Sequence, residues 1–378
     1  MAQAYNQDRQ YGSQLVGVPE NVAPGMAQLT SNETPLLSIV SGNLDNLSMT
    51  CTNTTYSYHE LQHRLKRTTL NGSVSSGVTT VVLTHEVAKP GDIIQVDKET
   101  ILLGTSSDFL TFAGCTRSVG TGADADHVTL SNVLVLGKPW AQGSAAATAD
   151  MVVYPDTVTA YTQIFRADID VSGTAMSLPQ YHAPGMDPYQ IALAQQQLNL
   201  KHELENALLW GGAAQAPSTG ATSGKFAGIY ERIQSTSSTD CDGYAISIDN
   251  VRSALRGIKD YGGNPQYWFV NLYMQDVINS WQLPHKIVSA EESPFGVDTS
   301  VVMLGGVSLS VVPIAKIGAS SVILSPEFIR VGPLSGRAFQ HTYLGVTGDR
   351  VQGQVVGEYT CEVVCPRAHH WFYEVKES

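Results

Sequence analysis

One strong helix signal constrains the fold of this chain more than any other feature. Asp187 can cap a helix, Pro188 suits the first helical position, and Gln190 completes a capping box. Gly211-Gly212 follows Trp210 and ends the pattern. The sequence therefore predicts one continuous helix from Pro188 to Trp210, about 35 Å long at a rise of 1.5 Å per residue.

Apolar residues of this helix occupy more than one of its faces. One stripe contains Leu193, Leu200, Leu204 and Leu208, and a second contains Ile191, Ala194 and Leu198. A helix with a single apolar stripe needs cover on one side only. We therefore expect this helix to be covered on both sides.

The chain before the helix is typical of short strands separated by turns. Apolar residues make up 43% and charged residues only 15%, and the 34 Gly and 17 Pro residues favour a turn-rich β structure. Between Tyr56 and Trp140 the strand-like segments are Val78–Leu83, Asp92–Val96, Thr100–Leu103 and Phe109–Ala113. They predict a small β module at about residues 78–138. Asp168 to Leu178 also has a strand pattern.

After the long helix, the sequence alternates helical and strand patterns. Apolar spacing predicts a helix over 248–261 and a second helical face over 274–281. The predicted strands are Tyr267–Leu272, Val301–Leu304, Val307–Val312, Val322–Leu324, Phe328–Val331, Val351–Val364 and Trp371–Val375. The fold class predicted by the whole pattern is α+β.

Charge and cysteine usage exclude several classes of protein. The net charge is -12 and the basic residues do not cluster, which argues against tight reading of nucleic acid. Five scattered cysteines in a long chain predict reduced thiols and no disulfide framework. Residues 1–30 hold few large apolar side chains and predict a flexible arm. We expect neither a signal peptide nor a membrane segment.

The sharpest enzymatic motif is His59-Glu60-Leu61-Gln62-His63, which matches the H-E-x-x-H pattern of zinc proteases. That chemistry needs a helix, so that both histidines reach one metal ion. The preceding Thr52–Tyr58 segment is polar and β-prone. In a strand His59 and His63 would lie about 13 Å apart. We therefore expect the motif to be inert, with a zinc metalloprotease kept as an alternative.

Two further motifs are weaker. Gly220–Lys225 misses the spacing of a phosphate-binding loop and is better read as a flexible loop. Cys361 and Cys365, with His369 and His370 nearby, suggest a metal site, but a strand would separate the two sulfurs. We assign no catalytic, cofactor-binding or metal-ligating residue.

Several phrases carry a family resemblance when they are read in chain order. They are Glu33–Val40 (ETPLLSIV), Pro90–Asp97 (PGDIIQVD) followed by Arg117 and His127, Val171–Ala175 (VSGTA) and Leu200–Leu209 (LKHELENALL). From about Thr34 to its C-terminus, the chain resembles the major capsid proteins of tailed bacteriophages. The resemblance implies the Johnson, or HK-type, capsid fold.

The resemblance also implies a division into domains. Residues 1–55 would be an N-terminal arm and 56–165 an E-loop region carrying the inserted β module. Residues 166–239 would be the peripheral domain with the spine helix 188–210, and 240–345 the axial domain. Residues 346–378 would return to the peripheral domain.

The implied function is that of a shell subunit. Hexamers and pentamers would build the icosahedral head around the double-stranded DNA genome, in the virion, after assembly in the bacterial host cytoplasm. Expected partners are the chain itself, a separate scaffolding protein, the portal and a decoration protein, with weak nonspecific contact to DNA and no membrane. No cofactor is expected. Another phage structural part, from the tail or the decoration of the head, stays open as an alternative.

Overall fold

The long helix has the predicted bounds, Pro188–Trp210, in the computed structural model of the chain. The structure describes residues 34–41, 49–61, 66–120, 122–144, 155–178, 187–215, 223–281, 286–287 and 300–376. The predicted flexible arm at 1–30 lies outside these residues. The helices are α1 (Pro35–Ser41), α2 (Gly173–Ser177), α3 (Pro188–Trp210), α4 (Ile229–Ile233), α5 (Ile248–Asp260) and α6 (Leu272–Ser280).

The strands run through the whole described chain. In its first half they are β1 (Thr55–Glu60), β2 (Arg67–Thr69), β3 (Val81–Val82), β4 (Ile93–Val96), β5 (Glu99–Leu102), β6 (Thr111–Phe112), β7 (Asn132–Gly137), β8 (Asp156–Tyr161) and β9 (Gln163–Ser172). In its second half they are β10 (Ser238–Asp240), β11 (Tyr267–Val270), β12 (Lys286–Ile287), β13 (Ser300–Leu304), β14 (Val307–Pro313), β15 (Ser320–Leu324), β16 (Ile329–Pro333), β17 (Gln340–Val346), β18 (Arg350–Val363) and β19 (His370–Tyr373).

Both ends of α3 show why it starts and stops where it does. The Asp187 carboxylate accepts a hydrogen bond from the Tyr189 backbone N–H at 3.0 Å, which caps the first turn. At the other end the Gly228 N–H donates to the Gly211 carbonyl at 2.6 Å. A Cβ on Gly228 would lie 2.6 Å from the Gly211 nitrogen, so only glycine allows this close approach.

Burial along α3 is uneven. Leu200, Leu204 and Leu208 are fully buried in the second half of the helix. In the first half Leu193 and Leu198 are half-buried and Ala194 is exposed. Within one subunit the two apolar stripes of α3 are therefore buried only in part, mainly in the second half of the helix.

A seven-stranded mixed sheet carries the largest core. Its strand order is β10-β19-β15-β11-β14-β13-β12, and β11 pairs parallel with β14 and antiparallel with β15. Helices α5 and α6 contribute Val251, Leu255, Met274 and Ile278 to the same buried cluster as Trp268. The predicted hairpin between β13 and β14 is confirmed, and Gly305-Gly306 supplies the positive φ angles of its turn.

The β module has a sheet of its own in the order β2-β7-β4-β5, with β3 and β6 paired beside it. Leu70 and Val74 belong to its separate hydrophobic core, together with Val81, Ile94 and Phe112. Because β2 joins the sheet ahead of Val78, the β module begins earlier than predicted and comprises residues 66–138.

One sequence prediction is wrong in part. Asp168–Leu178 has a strand pattern, but the strand β9 ends at Ser172 and residues Gly173–Ser177 form the helix α2. The Ser172 hydroxyl accepts a hydrogen bond from the Ala175 N–H at 3.2 Å, so it caps this helix. The cap outweighs the strand preference of Thr174.

By contacts the chain divides into two compact units. One contains residues 166–202 and 339–356, and includes the pairing of β17 with the first half of β18. The other contains residues 34–165, 203–338 and 357–376, and includes the β module and the seven-stranded sheet. Among the described residues, no helix combines the length and the apolar content needed to cross a membrane.

Candidate assembly surfaces

The described half of the H-E-x-x-H motif is a strand. His59 and Glu60 end β1, and His59 lies opposite Thr157 of β8. The His59 Nδ1 and the Thr157 hydroxyl are 3.0 Å apart on an exposed surface. His63 lies outside the described residues. The predicted strand context is therefore confirmed for the first two residues of the motif.

Glu60 is buried and engaged in structural contacts. The Arg232 guanidinium donates to both of its carboxylate oxygens at 3.2 Å. The backbone N–H of Cys365 donates to Oε2 at 2.9 Å. These donors hold the Glu60 carboxylate in place and tie three chain segments together, which is the behaviour of a structural ion pair.

The cysteine and histidine cluster near the C-terminus is also built into the fold. Burial raises the pKa of the Cys361 thiol to about 12. Burial lowers the pKa of His369 to about 3, and its Nδ1 accepts the Ser325 backbone N–H at 3.2 Å. Burial likewise lowers the pKa of His370 to about 4. These groups stay uncharged within the core and do not form a shared ligand set.

Two other candidate features carry no assigned chemistry. Residues 220–222 of the phosphate-loop near miss lie outside the described residues, and Lys225 forms a β-bridge with Ala214. Within the described ranges, Asp240, Asp242 and Glu374 place carboxylate oxygens within 4.8 Å of one another. All three side chains are exposed, and an exposed acidic group does not by itself define a metal site.

A buried guanidinium forms the centre of the β module. Arg117 donates from Nε and Nη2 to the two Glu99 carboxylate oxygens, both at 2.7 Å. It also donates to the backbone carbonyls of Ser75, Val78 and Ala125. The Arg117 and Glu99 side chains are 6% and 1% exposed. We call this arrangement the Arg117 hub; it joins the loop before β3, the start of β5 and the segment between β6 and β7.

The Glu99 carboxylate receives further donors. Burial by itself raises its pKa, but hydrogen bonds from Arg117, His127 and the backbone N–H groups of Ala125 and Ser118 outweigh burial and lower the pKa to about 2. His127 Nε2 lies 2.9 Å from Glu99 Oε2. Glu99 is therefore ionised throughout the neutral pH range.

The backbone next to the hub is strained. Ser118 and Asp97 each adopt a φ of 53°, in the left-handed region that side chains rarely occupy. The Ser118 N–H donates to Glu99 at 3.1 Å, and the Asp97 carboxylate lies 3.0 Å from His127 Nδ1. The contacts of the hub offset the cost of these two conformations.

A second buried carboxylate anchors the first helix. Glu205 of α3 is fully buried and accepts the backbone N–H of Leu36 at 3.0 Å. It also pairs with the Lys316 ammonium group. Because Leu36 lies in the first turn of α1, its N–H is one of those left free by the helix, and Glu205 satisfies it.

The outer face of the β module exposes apolar side chains. Leu134 and Leu136 point away from the module core on β7, while Val133 and Val135 point into it. An open cleft of about 320 Å³ lies on this face, lined by Arg67, Gln95, Asp97, Asn132, Val133 and Leu134. Because the module core is complete without them, Leu134 and Leu136 are free to contact another molecule.

A second exposed apolar region lies on β17. Its residues are exposed except for the half-buried Gly345, and they include Tyr343, Leu344 and Val346. The strand pairs antiparallel with Val351–Val356 of β18, with a bulge between Tyr343 and Gly345. In an isolated subunit these side chains stay largely in contact with water, so β17 adds little buried apolar surface.

A family model described as SU10 major capsid protein matches residues 3–376. The chain belongs to the SU10 major capsid protein family. It is therefore a major capsid protein of a tailed bacteriophage, which associates with itself into an icosahedral shell and resides in the virion. The family resemblance and the predicted function are confirmed. No curated protein matches the chain in sequence.

Solved capsid structures resemble this major capsid protein in fold. The capsid of a native GTA particle has a TM-score of 0.52 at 9% identity and covers 95% of this chain and 96% of its own. The structure of Microbacterium phage Oxtober96 has a TM-score of 0.47 at 10% identity, and the match covers 95% of each chain. The SrpI encapsulin complex from Synechococcus elongatus has a TM-score of 0.44 at 13% identity, and the match covers 61% of this chain and 79% of the encapsulin chain. The first likeness confirms the predicted α+β capsid fold.

Self-association of the family into shells is a setting in which exposed apolar surface becomes buried between copies. A subunit that is buried among copies of itself in a shell keeps apolar surface exposed only until it assembles. The sequence predicted the β module but did not single out Leu134, Leu136 or β17. Alternation within Asn132–Gly137 was the signal available for the module face.

Proposed function

We propose that this capsid protein assembles as hexamers and pentamers into the icosahedral head around a double-stranded DNA genome, and that the β module mediates contacts between subunits. The observation that carries the proposal is the separate core of the module, which leaves Leu134 and Leu136 on an open face. A module that is complete in itself adds interface area without belonging to the main core of its subunit.

We propose the following domain division for the shell subunit. Residues 1–55 are the N-terminal arm, 56–165 the E-loop region, 166–239 the peripheral domain, 240–345 the axial domain, and 346–378 the return to the peripheral domain. The continuity of α3 and the seven-stranded sheet formed largely by residues after 240 support this assignment.

We propose a separate scaffolding protein, a portal and a decoration protein as partners, with assembly in the bacterial cytoplasm. The net charge of -12 supports weak, nonspecific contact with the packaged DNA, because an acidic wall does not hold the phosphate backbone. Co-purification of shells at successive stages of infection tests these partners.

Excision of the β module should separate folding from assembly. Val135 donates its N–H to the Lys66 carbonyl at 2.9 Å, so the flanking residues lie side by side. Replacing residues 67–135 with a short Gly/Ser linker should leave a soluble chain that unfolds cooperatively but does not close into shells. The boundary precedes Val78 because Leu70 and Val74 belong to the module core. Sedimentation and electron microscopy of the excised and parent chains, each expressed with the scaffolding protein, measure the result.

A point substitution on the open face gives the matched comparison. Leu134→Lys leaves the module core intact and should also reduce shell closure, with an unchanged thermal unfolding midpoint. Normal shells from the excised chain would remove the module from assembly. An insoluble excised chain, with a soluble Leu134→Lys variant that assembles normally, would assign the module a role in folding.

We further propose that this capsid protein is not an enzyme. The contacts of Glu60 with Arg232 and Cys365 support this, because a general base needs a carboxylate that is free to take a proton. Elemental analysis of purified native protein should find no stoichiometric zinc, and peptidase assays should find no activity. One zinc per chain that disappears in His59→Ala, together with a peptidase activity, would contradict the proposal.

A further inference from the structure

The strand β17 has an open edge. Within the described parts of the chain, residues Gln340–Val346 pair with β18 only. Leu344 and Val346 are 56% and 65% exposed. The backbone N–H and C=O groups along the other edge are consequently available for pairing with another strand.

This edge lacks two devices that commonly protect edge strands. Natural edge strands are kept from pairing with other chains by charged side chains, proline, bulges or short length. The sequence of β17, QHTYLGV, contains neither Lys, Arg, Asp, Glu nor Pro. The bulge at Tyr343 and Gly345 is the protective device it has, and it leaves the first four residues in regular register with β18.

The strand is nevertheless held in place from one side. The Tyr189 hydroxyl and His341 Nε2 are 2.7 Å apart, and the Tyr189 ring meets the Tyr343 ring edge to face at 6.2 Å. Tyr189 lies in the first turn of α3. A strand fixed in this way loses little further conformational freedom when it pairs, which favours association.

We propose that β17 pairs edge to edge with β17 of a second copy, antiparallel and related by a two-fold axis. Identical antiparallel strands are complementary to each other by symmetry, and an uncharged strand meets its copy without repulsion. The family makes self-association the natural setting for such an edge. This inference goes beyond hexamers and pentamers, because it assigns a two-fold contact to one strand.

The size of the contact determines when it forms. Stable dimers bury about 1,200–2,000 Å² in total, and two seven-residue strands bury much less than this. The pairing is therefore too weak to hold an isolated dimer. In a shell the other contacts between subunits hold one β17 edge close to the β17 edge of the second copy, which raises its effective concentration. The strand pairing then adds its stabilisation to that of the other contacts.

Single cysteine substitutions in assembled shells test the pairing directly. Thr342→Cys, Leu344→Cys and Val346→Cys chains are assembled with the scaffolding protein, oxidised and examined by non-reducing electrophoresis. A disulfide-linked dimer from one substitution should appear at one position and decline along the strand, because a two-fold antiparallel contact brings one residue of the strand closest to its own copy. The same chains should stay monomeric when oxidised before assembly.

Parent shells and Tyr244→Cys shells are the controls, since Tyr244 is an exposed residue that does not belong to β17 and the chain already contains five cysteines. Closed shells without a dimer at any β17 position would overturn the inference and leave the shell function intact. A disulfide that forms only when a cysteine on β17 is combined with a second one elsewhere, such as Leu134→Cys, would overturn the two-fold arrangement. A parent chain that forms no shells would instead contradict the proposed function.

If the cysteine substitutions themselves prevent the shells from closing, hydrogen exchange of the parent chain tests the pairing instead. Residues 340–346 should exchange more slowly in shells than in the unassembled chain, beyond the change seen in β10, which serves as the reference strand. Equal exchange rates in the two states would overturn the inference.

Discussion

Replacing Arg117 with methionine should lower the free energy of unfolding of the β module by about 3–5 kcal/mol. The substitution removes the guanidinium and leaves the Glu99 carboxylate, which is 1% exposed, buried without its bidentate partner. It also removes the donors to three backbone carbonyls, two of which, Ser75 and Val78, flank the turn before β3. Urea unfolding of the full chain, with amide exchange localised to residues 66–138, measures the loss.

Arg166→Met is the matched control. Arg166 also forms a bidentate pair with a carboxylate, that of Asp168, but the two side chains are 58% and 59% exposed. Water and salt screen such a pair, so its removal should change stability little. Equal effects of the two substitutions would contradict the role of the Arg117 hub.

The pH dependence gives an independent reading of the same hub. The pKa of Glu99 is lowered to about 2 in the folded chain, so its stabilising contribution is complete above its ordinary value near 4.5 and is lost as the pH falls toward 2. The penalty of Arg117→Met should therefore be larger at pH 7 than at pH 4. In the variant the hydrogen bonds of Arg117 no longer lower the pKa of Glu99, so this pKa rises above its value in the parent chain and protonation relieves part of the penalty. A penalty that is constant over this range would assign the loss to packing alone.

Leu200→Pro should destabilise the subunit by about 3 kcal/mol or more, and soluble expression should collapse. Leu200 is fully buried near the middle of α3, where proline removes one helical hydrogen bond and its ring clashes with the preceding turn. Circular dichroism and the yield of soluble protein are the measurements.

Leu200→Ala separates the helix break from the loss of packing. Alanine keeps the helix and removes only the buried side chain, at a cost of about 2–5 kcal/mol. Gln195→Ala, at an exposed position of the same helix, should be close to neutral. A proline variant that keeps full helical circular dichroism and is no less stable than Leu200→Ala would show that the helix is not continuous at this point.

Local chemistry explains which elements could be predicted from the sequence. Helix α3 was predicted with both bounds because Asp187, Pro188 and Gly211 are explicit start and stop signals. The hairpin of β13 and β14 was predicted because paired glycines split an apolar run. In both cases the deciding residues lie next to the element that they define.

The elements that were missed depend on contacts between distant residues. β17 (QHTYLGV) lacks the regular alternation of polar and apolar residues that predicts a strand, and its strand conformation comes from pairing with β18. The ion pair of Glu99 and Arg117 joins residues 18 positions apart, and that of Glu205 and Lys316 joins residues 111 apart. No spacing rule connects such positions. The helix α2 was missed although Ser172 is a recognisable cap, because Val171 and Thr174 favour a strand.

The neighbouring ends of the β module have an evolutionary consequence. Since Lys66 and Val135 are hydrogen-bonded to each other, the chain leaves and re-enters the rest of the subunit at almost one point. A segment with adjoining ends can be gained, lost or exchanged as a unit while the remaining chain keeps its path. A lineage can thus change this part of the subunit without redesigning the rest of the chain, and the same junction is suited to the insertion of a foreign domain.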